Sequence, residues 1–410
     1  MVDETAGGPN VTICWELGGG LGHIVKGALL GRYLLERDCT VSFAVRELGA
    51  AHQLLPEDYY CVVQAPVVGA QLKDWPPPAD YGEMLLHFGW GQTRELQGRV
   101  RGWRGLFDSQ GTDLVIADHA PTAVLAARTS GIPAVLWGHG FFAPPAPWPV
   151  FRDWERAPQD RLLQARQHVL QVVNQVLGSF GRAHIGRLEE VLESTESFLC
   201  TWPELDHYAR SGQPNYVGPM WLDESGVKPD WGTGLGLRPK VFAYLRPNLP
   251  GVSEVLSALA ELEADVLVYM TENTPWRLRF THCENLRFTD QILRMKDVAE
   301  VAHLVICSGS DTLCGMVLSG VPVLGLPMNA EQRIAATRIE AQGAGRCVVP
   351  EEGDGALADS VRQAAQDIIG GLGYRQAAQK LKSRYGGFDR DGALRQVADR
   401  CVALATAGKQ

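Results

Sequence analysis

The sequence predicts an α/β protein of two doubly wound domains, and three observations carry that expectation. At 410 residues the chain is long for a single hydrophobic core, and chains of this size divide into domains. Short Val-, Ile- and Leu-rich runs alternate with helical stretches in both halves, the pattern of buried parallel strands joined by crossover helices. The clearest such unit is Leu304–Cys347. There Leu304–Cys307 is too short and too β-branched for a helix, and the polar loop Ser308-Gly309-Ser310-Asp311-Thr312 leads into a helical stretch ending at Ser319. Gly320 stops that helix and VPVLGLP supplies the next strand. A strand–loop–helix unit of this kind aims free N–H groups and the positive end of the helix dipole beyond the strand ends, a natural seat for phosphate.

Composition narrows the partners. Apolar content of 45% with 21% charged residues describes an ordinary globular protein. A net charge of −9 argues against nucleic acid or an anionic membrane surface. The first ten residues carry no basic segment leading into an apolar one, so no secretory leader is expected, and no apolar run reaches transmembrane length. The nine cysteines are odd in number and form no CxxC pair, which fits reduced thiols in a cytoplasm better than disulfides or a zinc site.

In the first half, VTICWEL (11–17) reads as a strand and GGGLGH (18–23) as a tight loop into a helix over Ile24–Arg37. The loop lacks the Lys-Ser/Thr ending of a Walker motif and fits the dinucleotide fingerprint poorly. TVSFAV (40–45) and YYCVVQAP (59–66) are further strands, followed by a Pro-rich loop at Trp75–Pro78 and a mostly helical stretch over Tyr81–Phe107. DLVIAD (113–118) is a buried strand ending in Asp118, and residues 119–138 give a helix, a Gly-Ile-Pro turn and another strand. Strand carboxyl ends line the ligand crevice of an open α/β sheet, so His23 and Asp118 can meet there. A carboxylate on one imidazole nitrogen fixes the tautomer and raises the basicity of the other. Each residue also has a plainer reading: His23 as a helix-start residue bonded to a carbonyl, Asp118 as the cap of the next helix. His139 and the Pro- and aromatic-rich segment 140–152 form either a stiff apolar wall or a surface loop packed on itself. Residues 158–193 read as a solvated amphipathic helix pair.

In the second half, the Gly-, Pro- and Asp-rich residues 211–239 are the best linker in the chain. KVFAYLRPN (240–248), ADVLVYM (264–270) and ENLRFTD (284–290) supply strands, and DVAEVAH (297–303) a helix. Asp389-Arg390-Asp391 has the form of a metal-binding D-x-D, but no strand leads into it, and capping of the helix that follows explains it. No internal repeat appears.

CSGSDTLCGMVLSGVP, followed by PMNAEQ and EAQGAGRCV, resembles the donor-sugar signature of nucleotide-sugar glycosyltransferases of the GT-B type. The nearest groups are the macrolide and plant UDP-glycosyltransferases and the bacterial enzyme that adds N-acetylglucosamine to lipid-linked peptidoglycan precursor. The match holds at Ser308, Gly309, Thr312, Gly320, Val321, Pro322, Pro327, Glu331 and Gln332. It departs at Cys307, where many relatives have His, and at Gly315, where a Glu usually holds the nucleotide ribose. The likeness covers residues 297–350 specifically and the rest of the chain loosely.

The resemblance implies two Rossmann-like domains facing a central cleft. Residues 1–210 would bind the acceptor, 211–239 would link, 240–388 would bind the nucleotide-sugar, and a C-terminal helix in 389–410 would return to the first domain. His23 would be the catalytic base, oriented by Asp118. Arg246, Ser308, Gly309, Ser310, Thr312, Glu331 and Gln332 would hold the donor, with Arg246 open to the plainer reading of a surface arginine. Gly20, His139, Phe141 and Phe142 would meet the acceptor. The implied reaction is an inverting, metal-independent transfer from a UDP- or dTDP-linked sugar, a co-substrate and not a cofactor, to a small apolar, aromatic or lipid-linked acceptor. Two alternatives stand beside it. A catalytically silent GT-B partner subunit would account for Cys307 and Gly315, although Gly22-His23 and Glu331-Gln332 survive. A nucleotide-sugar 2-epimerase shares the fold. The oligomeric state is left open.

Overall fold

Six of the apolar runs pair into one sheet: β1 (Asn10–Trp15), β2 (Thr40–Val45), β3 (Cys61–Gln64), β4 (Leu114–Asp118), β5 (Ala134–Gly138) and β6 (Glu196–Leu199). Six more form a second: β7 (Lys240–Tyr244), β8 (Asp265–Tyr269), β9 (Leu286–Thr289), β10 (Leu304–Cys307), β11 (Val323–Gly325) and β12 (Gly345–Cys347). They belong to a computed structural model that describes residues 7–20, 22–52, 54–68, 76–152, 154, 157–220, 226–232, 237–270, 275–280, 282–351 and 355–408. Trp75 of the Pro-rich loop, and residues 221–225 and 233–236 of the Gly/Pro-rich segment, lie outside the described residues.

The chain divides into two units. Unit 1 comprises Met1–Trp202, Arg210–Met220 and Asp389–Gln410; unit 2 comprises Pro203–Ala209 and Trp221–Phe388. Every strand pair is parallel. The first sheet runs β3-β2-β1-β4-β5-β6, and the second, taken from its β9 edge, repeats that order as β9-β8-β7-β10-β11-β12. Strand order therefore reverses between β1 and β4 in one unit and between β7 and β10 in the other. Helices leave opposite faces of a sheet at such a point, which opens a crevice beyond the strand carboxyl ends. The register sets Trp15 opposite Asp118 and Tyr244 opposite Cys307 at the two reversals.

Strand periodicity explains the layers. In β7, Val241 and Ala243 join one apolar cluster with residues of helices Val252–Ala260 and Leu357–Gly370. Phe242, between them, joins the opposite cluster with residues of helices Ser310–Leu318 and Ala330–Ala341. Alternate side chains point to opposite faces, so a strand covered on both sides must be apolar throughout.

The last helix, Arg390–Ala407, packs in unit 1 on helix Gly22–Leu35 and buries Leu394, Val397, Ala398, Cys401, Leu404 and Ala405. Asp389 caps it, its carboxylate accepting from the Gly392 N–H at 2.8 Å, so the D-x-D is a helix start. Two local readings change. Helix Gly22–Leu35 begins earlier than its apolar pattern suggested and takes His23 into its first turn. Segment 158–193 is one helix, Gln159–Ser179, and a short 3-10 turn, Leu188–Leu192, because the chain turns at Gly181 with φ +68°. No helix among the described residues is long and apolar enough to cross a membrane.

Candidate active site

At the reversal in unit 1 the chain leaves β1, turns through Gly18 and Gly20 at φ +81° and +103°, and enters helix Gly22–Leu35. His23 stacks on Trp15 with ring centroids 5.1 Å apart. Its Nδ1 lies 3.0 Å from Oδ2 of Asp118, and the two side chains are 8% and 1% exposed. The separation is that of an ion pair, while the alignment falls short of a hydrogen bond. Catalytic contacts are often loose without substrate and tighten once it binds, so the distance is the more telling of the two.

Asp118 does not cap the helix that follows it. That helix, Pro121–Ser130, has Ala120 at its N-cap without a side-chain bond. Glu16, from the end of β1, fills the place: the Thr122 N–H donates to it at 2.8 Å and the Thr122 hydroxyl at 2.5 Å. Burial pushes the Glu16 carboxyl up to about 7, opposed by the Thr122 bonds and by Arg99, 3.8 Å away. Asp118 is thus left to His23.

Two glycines keep the space these groups need. A Cβ on Gly138, at φ +143°, would stand 2.8 Å from Oδ1 of Asp118. One on Gly18 would stand 2.9 Å from Nε2 of His23, against a backbone angle that disfavours any side chain. Gly18→Ala is therefore expected to displace the imidazole and lower turnover on the order of 10²-fold, the usual result of misplacing a reacting group by about 1 Å. Nucleoside diphosphate affinity should be untouched, since the loop expected to seat phosphate, Ser308–Thr312, belongs to unit 2. Steady-state rates beside a calorimetric titration check both halves, and wild-type turnover in the variant would refute the expectation.

Beyond β5, His139 is followed by a single 3-10 turn, Gly140–Phe142. Successive side chains on so tight a turn diverge, and the two phenylalanines part company. Phe142 comes to 5.3 Å from His23 and 4.4 Å from His139, ring centre to ring centre. Phe141 turns inward onto Phe151, 4% exposed, and is a packing residue in this arrangement. Arg210 pins the turn by donating to the carbonyls of Gly140, at 2.6 Å, and of Ala143.

In unit 2 the corresponding reversal looks different. Helix Ser310–Leu318 starts from Gly309 with no side-chain cap. The hydroxyls of Ser308 and Ser310 are buried without a hydrogen-bond partner, and Thr312 is half-buried in the first turn. Arg246 is half-buried just beyond β7. Burial pushes the neighbouring Tyr244 hydroxyl up, and the Arg246 charge opposes that shift. Cys307 is fully buried, which drives its thiol far above the ordinary range and leaves it inert.

Glu331 and Gln332 open helix Ala330–Ala341. Asn329 caps it by accepting from the Gln332 N–H at 3.0 Å, while Oε1 of Gln332 accepts from the Met328 N–H at 2.9 Å. This reciprocal arrangement commits half of the Gln332 amide to the helix start. Oε1 of Glu331 lies 3.0 Å from Nε2 of His207. His207 has no local signal in the sequence, and neither does Glu16 as a cap.

These geometries can be set beside known proteins. Residues 253–404 match the family described as erythromycin biosynthesis protein CIII-like, C-terminal domain. The chain is 24% identical over 344 residues to a PGL/p-HBAD biosynthesis glycosyltransferase of Mycobacterium tuberculosis, covering 77% of this chain and 79% of that one. It is 27% identical over 315 residues to a PGL/p-HBAD biosynthesis rhamnosyltransferase of Mycobacterium bovis, covering 72% and 68%. Spinosyn rhamnosyltransferase SpnG shares the fold with a TM-score of 0.69 at 18% identity, over 96% of this chain and 100% of that one. Glycosyltransferase VinC in complex with dTDP does so with a TM-score of 0.66 at 17% identity, over 97% and 100%. The fold is that of the GT-B glycosyltransferases. The chain is a nucleotide-sugar glycosyltransferase of that type.

Proposed function

We propose that the protein moves a deoxyhexose from a thymidine-diphosphate-linked donor to a hydroxyl of an apolar, ring-containing acceptor, with inversion. One observation carries the reading: the contrast between the two strand-order reversals. In unit 1 the helix start is already taken by the chain's own carboxylate, Glu16, beside an imidazole–carboxylate pair. In unit 2 the helix start has no cap, and two buried hydroxyls stand without partners. The first is fitted to proton transfer and the second to an anion. For the nucleotide, support comes from VinC, a structural relative solved with dTDP. For the sugar it comes from relatives named as rhamnosyltransferases and, over 41% of this chain, TDP-daunosamine transferase DnrS of Streptomyces peucetius.

In this reading Nε2 of His23 takes the acceptor's hydroxyl proton as its oxygen attacks the anomeric carbon. Asp118, on Nδ1, steadies the imidazolium that forms. The bond from the anomeric carbon to the β-phosphate oxygen breaks on the opposite face, and its electron pair leaves with the diphosphate. Backbone N–H groups of the helix start, the hydroxyls of Ser308, Ser310 and Thr312, and Arg246 meet that growing charge; fixed dipoles aimed this way are usually the largest catalytic term. Glu331, oriented by His207, and the free half of the Gln332 amide bind sugar hydroxyls.

The helix start takes the place of a divalent cation, so product formation should continue unchanged in excess EDTA. Activity lost to EDTA and restored by Mg²⁺ or Mn²⁺ would overturn this point. The function itself is tested by incubating the protein with dTDP- and UDP-linked sugars without acceptor. Slow release of nucleoside diphosphate, with a raised melting temperature in thymidine diphosphate, is the expected result. A protein that neither binds nor hydrolyses any of these donors would be the silent partner subunit instead.

A further inference from the structure

His119, the residue after Asp118, stands in the left-handed region at φ +50°, uncommon for any residue but Gly, although Asn, Asp and His enter it more often than the rest. Its carbonyl accepts from the Leu17 N–H at 2.9 Å, and its ring is stacked on Phe142, centroids 3.8 Å apart and 15° from parallel. Main chain and ring face are thus both held. The ring nitrogens are not: both are buried and neither has a hydrogen-bond partner. Burial, then the nearby His23 and Arg46, hold its pKa well below the ordinary value, so the ring is neutral and offers one donor and one acceptor.

Buried polar atoms are nearly always paired, and one left unpaired is costly unless something outside the chain completes it. The position of the ring says where that partner would stand. A Cβ on Gly18 would lie 2.9 Å from Nε2 of His23 and 3.4 Å from Nδ1 of His119. Both nitrogens therefore lie on the same side of Gly18, the side on which the glycine carries no side chain. Stacking covers the face of the His119 ring and leaves its Nδ1 edge on the side of Gly18 and His23.

We propose that His119 is a second acceptor-binding imidazole, which hydrogen-bonds an oxygen adjacent to the attacking hydroxyl, so that the site selects ring acceptors carrying two neighbouring oxygens. The inference rests on the transfer reading above. With His23 on the attacking hydroxyl, His119 takes the neighbouring one, and the Phe142 ring lies beside the acceptor ring. An acceptor lacking the second oxygen leaves the imidazole unpaired, and sites built to bond a hydroxyl discriminate strongly for that reason.

The test is calorimetric titration of the full chain, saturated with thymidine diphosphate, using catechol and phenol as probes. Wild type should bind catechol about tenfold more tightly than phenol, the difference one well-placed hydrogen bond makes. His119→Gly removes the ring and relieves the backbone, and should abolish the preference. His119→Asn keeps a polar atom on a residue that tolerates the left-handed region, and should retain it. Equal binding of the two probes by wild type, binding of neither, a preference that survives His119→Gly, or one that His119→Asn fails to keep, would each overturn the proposal. Thymidine diphosphate affinity, measured on the same three proteins before saturation, should be equal in all of them. Its loss in wild type would instead sink the donor reading.

Discussion

Replacing His23 by alanine is expected to lower sugar transfer by roughly 10²–10⁴-fold, the usual contribution of a positioned general base. The expectation follows from geometry at one spot. His23 is held by stacking on Trp15 and by Asp118 at 3.0 Å, and its other nitrogen lies beside the bare side of Gly18. Deleting the imidazole leaves Asp118 buried and the acceptor hydroxyl without a proton acceptor. Donor affinity should hardly change, because the proposed phosphate seat lies in unit 2. Single-turnover rates and nucleoside diphosphate titrations separate the two effects. Near-wild-type transfer would make His23 a helix-start residue and no more.

Ser310→Asp should have the largest effect at the donor seat. The substitution puts a second carboxylate beside Asp311 in the first turn of helix Ser310–Leu318, at the place of an unpartnered buried hydroxyl. An acidic residue in the first turn favours the helix and offsets part of the cost of a carboxylate at this buried position, so the melting temperature should fall only modestly. The same carboxylate would stand against the diphosphate, and like charges brought together cost several kcal/mol, so affinity should fall on the order of 10²-fold or more. A variant that melts normally and still binds thymidine diphosphate as tightly as wild type would place the seat elsewhere. A large loss of binding beside a modest loss of stability is expected, which simple misfolding would not produce.

The fold was largely legible because parallel strands advertise themselves. Strands β2 and β10 lie where their β-branched apolar runs put them, and β1, β4 and β8 differ by a residue or two at their ends. Gly320 stops its helix at φ +85°, as a glycine at a helix end does. The pairing of His23 with Asp118 followed from strand order, since both leave the carboxyl ends of neighbouring strands. What stayed hidden depends on contacts far apart in sequence. Glu16 reads as the last polar residue of a strand, and only the folded sheet brings it under Thr122. His207 meets Glu331 across 124 positions, which no local pattern reports. Phe141 and Phe142 look equivalent in sequence, and a single tight turn sends one into the core. His119 looks like a helix-start residue until its backbone angle and bare nitrogens are seen.

The last helix carries a consequence for how the molecule is made. Arg390–Ala407 completes unit 1, yet all of Trp221–Phe388, a unit with its own sheet, precedes it in the chain. As the polypeptide emerges from the ribosome, the apolar face of helix Gly22–Leu35 waits uncovered while the whole second unit is synthesised. Burial of each large apolar side chain contributes about 1.5–3 kcal/mol, against a total margin of about 5–15 for a typical domain. Leu394, Val397 and Leu404 together are thus a large part of what keeps unit 1 folded. A chain stopped at Phe388 would contain every residue of both sites and still leave the acceptor half unfinished, a nascent intermediate for chaperones and proteases to hold or remove.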